Sequence, residues 1–289
     1  MNAEIITIGN ELISGTVIDT NASFLAGKAL STGVEVTRMV SVGDNETDIR
    51  DSLENALQRS DIVIVTGGLG PTPDDITAAV AAKTFRRALV INEEALHWIK
   101  KLFREHGMEM PLNNEKQALI PEGGKLIMNP IGTACGFLVR EKGKLVFFLP
   151  GVPKELVKMS NESVFSIIQR EAGGGPQFET TTLKVFGLGE SKIAELIKDI
   201  VDNDEYVMIS FLPNYPENHI KITARGISEE EAASRVSRKA MEITERLGEH
   251  IFGRDNQTME GVVGSMLSSR KQTIAVAESC TGEIGRAHV

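Results

Sequence analysis

The chain has 289 residues, of which 41% are hydrophobic and 25% charged, and its formal net charge at pH 7 is −9. This length and apolar content predict two compact domains with a sizeable core. The negative charge argues against a protein that binds nucleic acid without sequence preference, because such proteins gain affinity from clustered Lys and Arg. No apolar stretch approaches the roughly 20 residues that span a bilayer, and no signal-like segment precedes the first strand pattern, so we expect a cytoplasmic protein without membrane contact.

The first half of the chain alternates apolar strands with amphipathic helices. Apolar periodicity predicts strands over 3–8, 34–42, 62–65 and 144–149, and helices over 20–30, 47–58, 73–84 and 93–105, with a loop-rich passage over 110–136. Repeated β-α units of this kind predict an α/β fold, in which a parallel sheet carries helices on both faces. Ligands of such sheets bind beyond the carboxyl ends of the strands. The loops 9–15, 43–47 and 67–72 are therefore expected to face one crevice.

The segment 61–77 is the most informative stretch of the sequence. It contains a short β-branched strand, then the glycine turn 67–70, whose residues free the backbone to bend sharply. Thr72 is the expected N-cap of the next helix, with Pro73 at its first position and Asp75 three residues beyond the cap. Backbone N–H groups at such a helix start attract phosphoryl oxygens. The segment therefore predicts a phosphate site.

Two carboxylates, Asp74 and Asp75, accompany this turn. They would repel a phosphate unless a cation lies between them, and a divalent metal is the natural solution. The alternative is that Asp75 only completes a capping box and that Asp74 only complements the helix dipole. Spacing alone leaves the two interpretations open.

A domain boundary is indicated by the three glycines and the proline of segment 171–176. The pattern beyond it predicts a small α+β domain. Its predicted strands are 181–186, 206–211 and 219–224, and its predicted helices are 191–200 and a long helix that starts at a Ser228–Glu231 capping box and reaches about 247. A further helix over 258–269 and a strand over 272–277 follow.

Four motifs together resemble one known family. The glycine turn and its acids are similar to the GG-x-G-x-T-x-x-D signature of molybdopterin-binding domains of the MoaB/Mog type. Three more stretches narrow the resemblance to the CinA family: 5–15 with 19–21, 148–155 and 277–282. Four motifs in order are a specific signal, whereas a lone glycine run is weak.

The resemblance implies an architecture and two activities. It implies a MoaB/Mog-like domain over 1–170 that cleaves ADP-ribose to AMP and ribose 5-phosphate with a metal, and a small KH-like domain over 177–254. It also implies a carboxy-terminal amidase that acts on nicotinamide mononucleotide, both activities belonging to pyridine-nucleotide recycling. A homodimer is expected as well.

The last segment, 256–289, departs from the family pattern. Ser279 and Thr281 match residues of the amidase motif, but Glu283 stands where the family has a glycine, and 283–289 does not resemble the family's continuation. We interpret this segment as the remnant of a truncated amidase domain with a foreign-looking tail. One strand and one turn cannot enclose a substrate, so amidase activity is expected to be absent.

The resemblance also implies roles for individual residues. Asp75 matches the metal-proximal acid of the MoaB/Mog signature and Asp44 its second acidic position, so these two are the expected catalytic residues. With Asp74 they are the expected ligands of a divalent ion, Mg²⁺ or a transition metal such as Co²⁺, and K⁺ is a further candidate. Substrate contacts are expected from the motif stretches, at Glu11, Ser14, Gly15, Asp19, Asn21, Thr66, Gly67, Gly68, Gly70, Thr72, Pro150, Gly151 and Glu155, and from the loop-rich passage, at Asn129, Gly132 and Thr133.

Simpler structural roles compete with several of these assignments. Asp44 could be a turn residue, and Asp19 could be a helix cap. The prolines of 150–153 could only stiffen a turn, and Glu155 could only complement the start of its helix.

The sequence is compatible with three functions. The leading one is the ADP-ribose pyrophosphatase, and the second is a non-catalytic scaffold or sensor that binds a pterin or nucleotide, since fold alone does not decide between them. The third is a protein that acts on nucleic acid. The acidic charge opposes it, and Gly187-Leu-Gly189 does not match the G-x-x-G loop with which KH modules grip nucleic acid.

Overall fold

The computed structural model describes residues 1–172, 176–201 and 204–275. It divides into two compact units, Met1–Gln177 and the part of the chain from Phe178 onward. Among the described residues, no helix is both long and apolar enough to cross a membrane.

The first unit is built on a six-stranded sheet of order β2-β1-β3-β8-β7-β6. The strands of this unit are β1 (Asn2–Ile8), β2 (Glu35–Val42), β3 (Ile62–Thr66), β4 (Leu89–Ile91), β5 (Leu119–Pro121), β6 (Lys125–Ile127), β7 (Gly136–Glu141) and β8 (Lys144–Leu149). The helices are α1 (Asn10–Ile13), α2 (Thr20–Ser31), α3 (Glu46–Arg59), α4 (Thr77–Thr84), α5 (Glu93–Glu105), α6 (Pro153–Met159) and α7 (Phe165–Ala172). A 3₁₀ helix, Leu112–Ala118, and a π-helical segment, Ser160–Val164, complete it, and β4 and β5 form a separate antiparallel pair.

The predicted sheet is parallel only in part. β2, β1, β3 and β8 run parallel, as expected, but β7 pairs antiparallel with β8 and β6 antiparallel with β7. The cause is the tight turn between β7 and β8, where Lys142 and Gly143 have φ of 50° and 79°. Two consecutive positive φ values suit the turns that join antiparallel strands. The apolar pattern of 110–141 predicts neither β7 nor β6.

Helices cover both faces of the sheet, as predicted. β3 shows why: Ile62 and Ile64 pack in one core cluster with α2, α6 and α7, whereas Val63 and Val65 pack in the other with α3 and α4. Alternate side chains of a strand point to opposite faces, so a continuous β-branched run fits a strand that is buried on both sides. Phe137 and Phe148 stack in the second cluster, with ring centroids 4.5 Å apart.

The helix predicted over 73–84 begins four residues later, at Thr77. Only one of the two bonds of a capping box forms: the Asp75 carboxylate accepts a hydrogen bond from the Thr72 N–H (2.8 Å). The Thr72 hydroxyl does not accept from the Asp75 N–H, but donates to the same Asp75 carboxylate (2.6 Å). Both bonds to this carboxylate close an isolated turn instead of starting a helix. The Asp75 N–H donates to the Thr72 carbonyl (3.1 Å), and the proline at 73 disfavours helical geometry at the residue before it.

The second unit is an antiparallel sheet of order β10-β11-β9-β12 with helices. Its elements are β9 (Gln177–Phe186), α8 (Glu190–Leu196), α9 (Lys198–Val201), β10 (Val207–Asn214), β11 (Glu217–Gly226), α10 (Glu229–Leu247), β12 (Ile251–Arg254) and α11 (Met259–Ser269). The predicted helix 191–200 is two short helices that meet at Ile197, and β12 was not predicted. Residues 272–275 are not a strand, and the rest of the predicted strand 272–277, with Ser279 and Thr281, lies outside the described residues.

The start of α10 gives a first test of this unit. The Ser228 hydroxyl accepts a hydrogen bond from the Glu231 N–H (3.2 Å), and the Glu231 carboxylate accepts one from the Ile227 N–H (2.8 Å). We expect Ser228→Ala to lower the free energy of unfolding by about 1 kcal/mol, because a helix donor loses its partner. Urea unfolding measures this. Ser237→Ala, at an exposed mid-helix position, is the control and should not destabilise, and equal effects of the two changes would contradict the capping role.

Candidate functional site

A cleft of about 480 Å³ lies at the carboxyl ends of the parallel strands. The loops that follow β1, β2, β3 and β8 supply its walls, together with the start of α6. This is the crevice that the β-α pattern predicts. Of the predicted site residues it brings together Glu11, Asp44, Gly67, Gly68, Gly70, Asp74, Asp75, Thr133, Pro150, Gly151 and Glu155.

A smaller pocket of about 190 Å³ adjoins the cleft and shares Glu11 and Gly151 with it. Asp19, Asn21 and Thr66 line this pocket. The Asn21 amide donates to the Gly151 carbonyl (2.7 Å), and the Thr66 hydroxyl donates to the Pro150 carbonyl (2.9 Å). These bonds tie the loop after β8 to α2 and β3. The Asp19 carboxylate also accepts a hydrogen bond from the Ala22 N–H (2.9 Å), so the capping role proposed as its alternative is present.

Five predicted contacts do not line either cavity: Ser14, Gly15, Thr72, Asn129 and Gly132. Ser14 bonds within its own exposed loop, through Glu11 and Thr16. Thr72 holds Asp75, as described above. Asn129 is fully buried and lies behind the cleft wall. The sequence places these residues in the motif loops or in the loop-rich passage, but it does not show which side chains turn away from the crevice.

The glycine turn presents unused donors to the cleft. Gly67 and Gly68 have φ of 107° and 64°. The Gly67 N–H donates to the Leu149 carbonyl (3.0 Å), whereas, within the described part of the chain, the N–H groups of Gly68, Leu69 and Gly70 have no acceptor. Successive N–H groups of this kind form a concave binding site for an anion. Phosphate binding would thus rest on the loop itself, not on the start of α4, which lies further along the chain.

Acidic side chains line the same cleft: Glu11, Asp44, Asp74 and Asp75. Asp44 is half-buried, and one of its carboxylate oxygens accepts a hydrogen bond from the Asn10 N–H (2.8 Å). Burial raises the pKa of Asp44, the Asn10 bond opposes this, and the negative charges of Glu11, Asp74 and Asp75 raise it further. A bound cation would relieve that repulsion.

The donor set fits a hard divalent ion with an open coordination sphere. Among the described residues, no three His, Cys, Asp or Glu side chains converge as a closed metal site. Mg²⁺ does not need one, because it usually binds one or two carboxylates and keeps waters and substrate phosphates as its other ligands. Asp44 and Asp75 each have one carboxylate oxygen outside the bonds described above. The two could hold such an ion beside the donors of the glycine turn.

The sequence does not mark Gln117 of the 3₁₀ helix as a cleft residue, nor its neighbour Lys116 as a support of the cleft. The Lys116 ammonium donates to the Thr72 carbonyl (2.5 Å) and so ties this helix to the acidic turn. Gln117 lines the cleft, and its side-chain oxygen accepts from the Asn114 amide (2.8 Å), which fixes the orientation of the Gln117 side chain. No local pattern in 110–136 marks these residues, since their position depends on the tertiary path of a short irregular segment.

Comparisons with known proteins agree with this architecture. Residues 4–170 match the family described as "Probable molybdopterin binding domain", and 180–253 match the "Damage-inducible protein CinA KH domain". The predicted MoaB/Mog-like fold and the KH-like second domain are thereby confirmed.

Individual relatives cover nearly the whole chain. A CinA-like protein of Geotalea uraniireducens is 40% identical over 98% of this chain and 67% of its own length. A putative competence-damage inducible protein of Clostridium tetani is 38% identical over 98% of this chain and 68% of its own length. The crystal structure of CinA from Thermoplasma acidophilum, a protein described as of unknown function, has a TM-score of 0.54 and 39% identity over 57% of this chain and 97% of that chain. The chain therefore belongs to the CinA family.

Proposed function

We propose that the first unit hydrolyses the pyrophosphate bond of ADP-ribose to AMP and ribose 5-phosphate with the help of a divalent metal. The proposal depends on one observation: the cleft contains three N–H donors that have no acceptor among the described residues, together with the carboxylates Asp44 and Asp75. Phosphate needs donors and metal needs carboxylates, and a pyrophosphate bridged by a metal uses both. The choice of ADP-ribose among pyrophosphates rests on the family resemblance.

Three groups of residues would have separate roles in this reaction. The N–H groups of Gly68, Leu69 and Gly70 would hold phosphate oxygens and stabilise the charge that develops on them. Asp44 and Asp75 would hold the ion, which supplies positive charge to the phosphate oxygens and acidifies a water. The adjoining pocket, with Asp19 and Asn21, offers hydrogen-bond partners for a sugar hydroxyl.

A second candidate is a binding protein for a pterin or nucleotide that does not turn over its ligand. The match of 4–170 to a family described as "Probable molybdopterin binding domain" favours it. The same cleft would bind the phosphate of such a ligand. Binding of ADP-ribose or a phosphorylated pterin without the appearance of product would support this candidate.

A substrate panel with and without metal distinguishes the two. The purified chain is incubated with ADP-ribose and other nucleoside diphosphate sugars in Mg²⁺ or Co²⁺, with K⁺ or Na⁺, and products are separated by chromatography. We expect AMP and ribose 5-phosphate from ADP-ribose, and a fall of about 1,000-fold or more with EDTA, because the metal supplies several kcal/mol of charge stabilisation. No product with any metal would refute the pyrophosphatase.

The wider setting follows from the same resemblance. The activity would serve pyridine-nucleotide recycling in the cytoplasm, and the protein would act as a homodimer on a small-molecule substrate, with no nucleic-acid partner. Light scattering during size-exclusion chromatography tests the dimer. A titration with single-stranded DNA at low salt, where phosphate contacts are strongest, tests nucleic-acid binding.

A further inference from the structure

Glu155 occupies an unusual position in the cleft wall. It lies in the first turn of α6, directly beyond the loop after β8, and lines the same cavity as Asp44 and Asp75. Its carboxylate is half-buried and accepts a hydrogen bond from the Asn129 side-chain amide (2.7 Å). Within the described residues, no Lys or Arg forms an ion pair with it.

A rigid loop holds this carboxylate in place. The Asn129 side chain is fully buried, its amide also donates to the Ala134 carbonyl (3.0 Å), and its oxygen accepts from the Ile131 N–H (3.2 Å). The Gly132 carbonyl accepts from the indole N–H of Trp98 (3.1 Å), which ties the loop to α5. Every polar atom of the Asn129 side chain is thus used to orient the loop or Glu155.

Gly132 provides the space for the carboxylate. A Cβ atom at this position would lie 2.4 Å from Glu155 Oε1 and 2.7 Å from Asn129 Nδ2, far inside van der Waals contact. The φ of Gly132 lies outside the left-handed region, so the absence of a side chain, and not backbone freedom, is what this site requires. The loop is shaped around one carboxylate position.

The environment of the Glu155 carboxylate does not suit a side chain whose only role is packing. Partial burial without a cationic partner disfavours its charged form. Burial accordingly raises the pKa of Glu155, and the Asn129 bond offsets only part of that effect. Carboxyl groups that face a cleft and are held ready to accept a proton are typical of general bases.

We propose that Glu155 is a catalytic residue, the general base for the attacking water, and that Asn129 and Gly132 are positioning residues that fix its carboxylate. The inference rests on the proposed pyrophosphatase function and adds the proton acceptor to it. The water oxygen forms a bond to one phosphorus while the bond from that phosphorus to the bridging oxygen breaks. The bridging oxygen keeps the electron pair and leaves with the other phosphate, and the water proton passes to Glu155.

The first test replaces the carboxylate. Glu155→Gln keeps the size and the acceptor for Asn129, so kcat should fall by about 100-fold to 10,000-fold, with KM and the metal affinity close to wild type. In Glu155→Ala, added formate should restore part of kcat, because a small free carboxylate can take the place of the missing base. A residue that only supports the wall would show no such rescue.

The second test moves the carboxylate without removing it. Gly132→Ala should lower kcat at least 10-fold, because the new methyl group displaces Glu155 Oε1. Gly27→Ala is the matched control, since a Cβ there meets no atom within 4 Å, and it should leave kcat unchanged. Trp98 is the only tryptophan of the chain, so its fluorescence should change in Gly132→Ala and not in the control.

The outcomes separate this inference from the function on which it rests. If wild type cleaves ADP-ribose and Glu155→Gln retains kcat within about 3-fold, or if formate fails to rescue a folded Glu155→Ala, the general-base role is wrong while the pyrophosphatase stands. If Glu155→Gln loses metal affinity in proportion to kcat, Glu155 is a ligand and the inference also fails. A wild-type chain that cleaves no member of the panel overturns both.

Discussion

Asp44→Asn is expected to lower kcat for ADP-ribose hydrolysis by about 1,000-fold or more and to leave the free energy of unfolding nearly unchanged. The substitution keeps the size of the side chain. It also keeps an oxygen that can accept the hydrogen bond that Asp44 Oδ2 accepts from the Asn10 N–H in the wild type (2.8 Å). It removes one anionic ligand, and with it several kcal/mol of charge stabilisation in the transition state. The fold should not suffer, because Asp44 is one of several acids that repel one another in the cleft.

Asp75→Asn separates the metal role from the structural one. Asp75 Oδ2 accepts from both the N–H and the hydroxyl of Thr72, and an amide oxygen can replace it in either bond. If the metal role is correct, activity should fall as in Asp44→Asn. If Asp75 only closes its turn, the variant should retain kcat and lose at most about 1 kcal/mol of stability.

The controls for both variants are direct. Asp51→Asn removes an exposed acid that pairs with Arg50 at 3.0 Å, away from the cleft, and should retain wild-type kcat. Metal binding is followed by calorimetry and unfolding by urea titration. Wild-type kcat in Asp44→Asn or Asp75→Asn would refute the assignment of the metal to that residue, whatever the effect on stability.

The sequence predicts the central frame of the first unit well, because the relevant signals are local. β3 is a continuous β-branched run that is buried on both faces, a pattern typical of a strand at the centre of a parallel sheet. Once β1, β3 and β8 are parallel neighbours, their carboxyl ends meet at one edge, and the loops that carry Glu11, Gly67 and Gly151 must face each other. The location of the cleft follows from topology.

The details that the sequence does not predict depend on contacts between distant segments. The predicted start of α4 is wrong because the bond from the Thr72 N–H to the Asp75 carboxylate, which the spacing predicts, closes a turn here as well as it would cap a helix. Asn129 was expected to line the crevice, but its burial depends on how its loop packs behind Glu155. Gln117 carries no motif, and only the path of the chain brings it to the cleft.

Gly67→Ala is expected to destabilise the first unit by about 3 kcal/mol or more and to abolish ligand binding. A Cβ atom at Gly67 would lie 2.1 Å from the backbone carbonyl oxygen of Ile8, at a φ of 107° that L residues rarely adopt. β1 and β3 are paired beside this point, from Ala3 to Thr7. The clash can be relieved only if the ends of the two central strands separate, which also moves the donors of the glycine turn. Urea unfolding and calorimetry with ADP-ribose measure the two effects.

Gly68 is the useful comparison with Gly67, because a Cβ atom at Gly68 would clash with a side chain and not with the backbone. A Cβ atom at Gly68 would lie 2.2 Å from the Thr77 hydroxyl oxygen but 3.3 Å from Thr77 Cβ. When Thr77 is replaced by Ala, Gly68→Ala should therefore lower the free energy of unfolding by only roughly 1 kcal/mol more, the cost of a non-glycine residue in left-handed geometry. The loss of stability caused by Gly67→Ala should be the same with and without Thr77→Ala. Gly27→Ala, in open space within α2, should not destabilise. If Gly67→Ala and Gly27→Ala change the free energy of unfolding equally, the close approach of β1 and β3 does not explain why position 67 is a glycine.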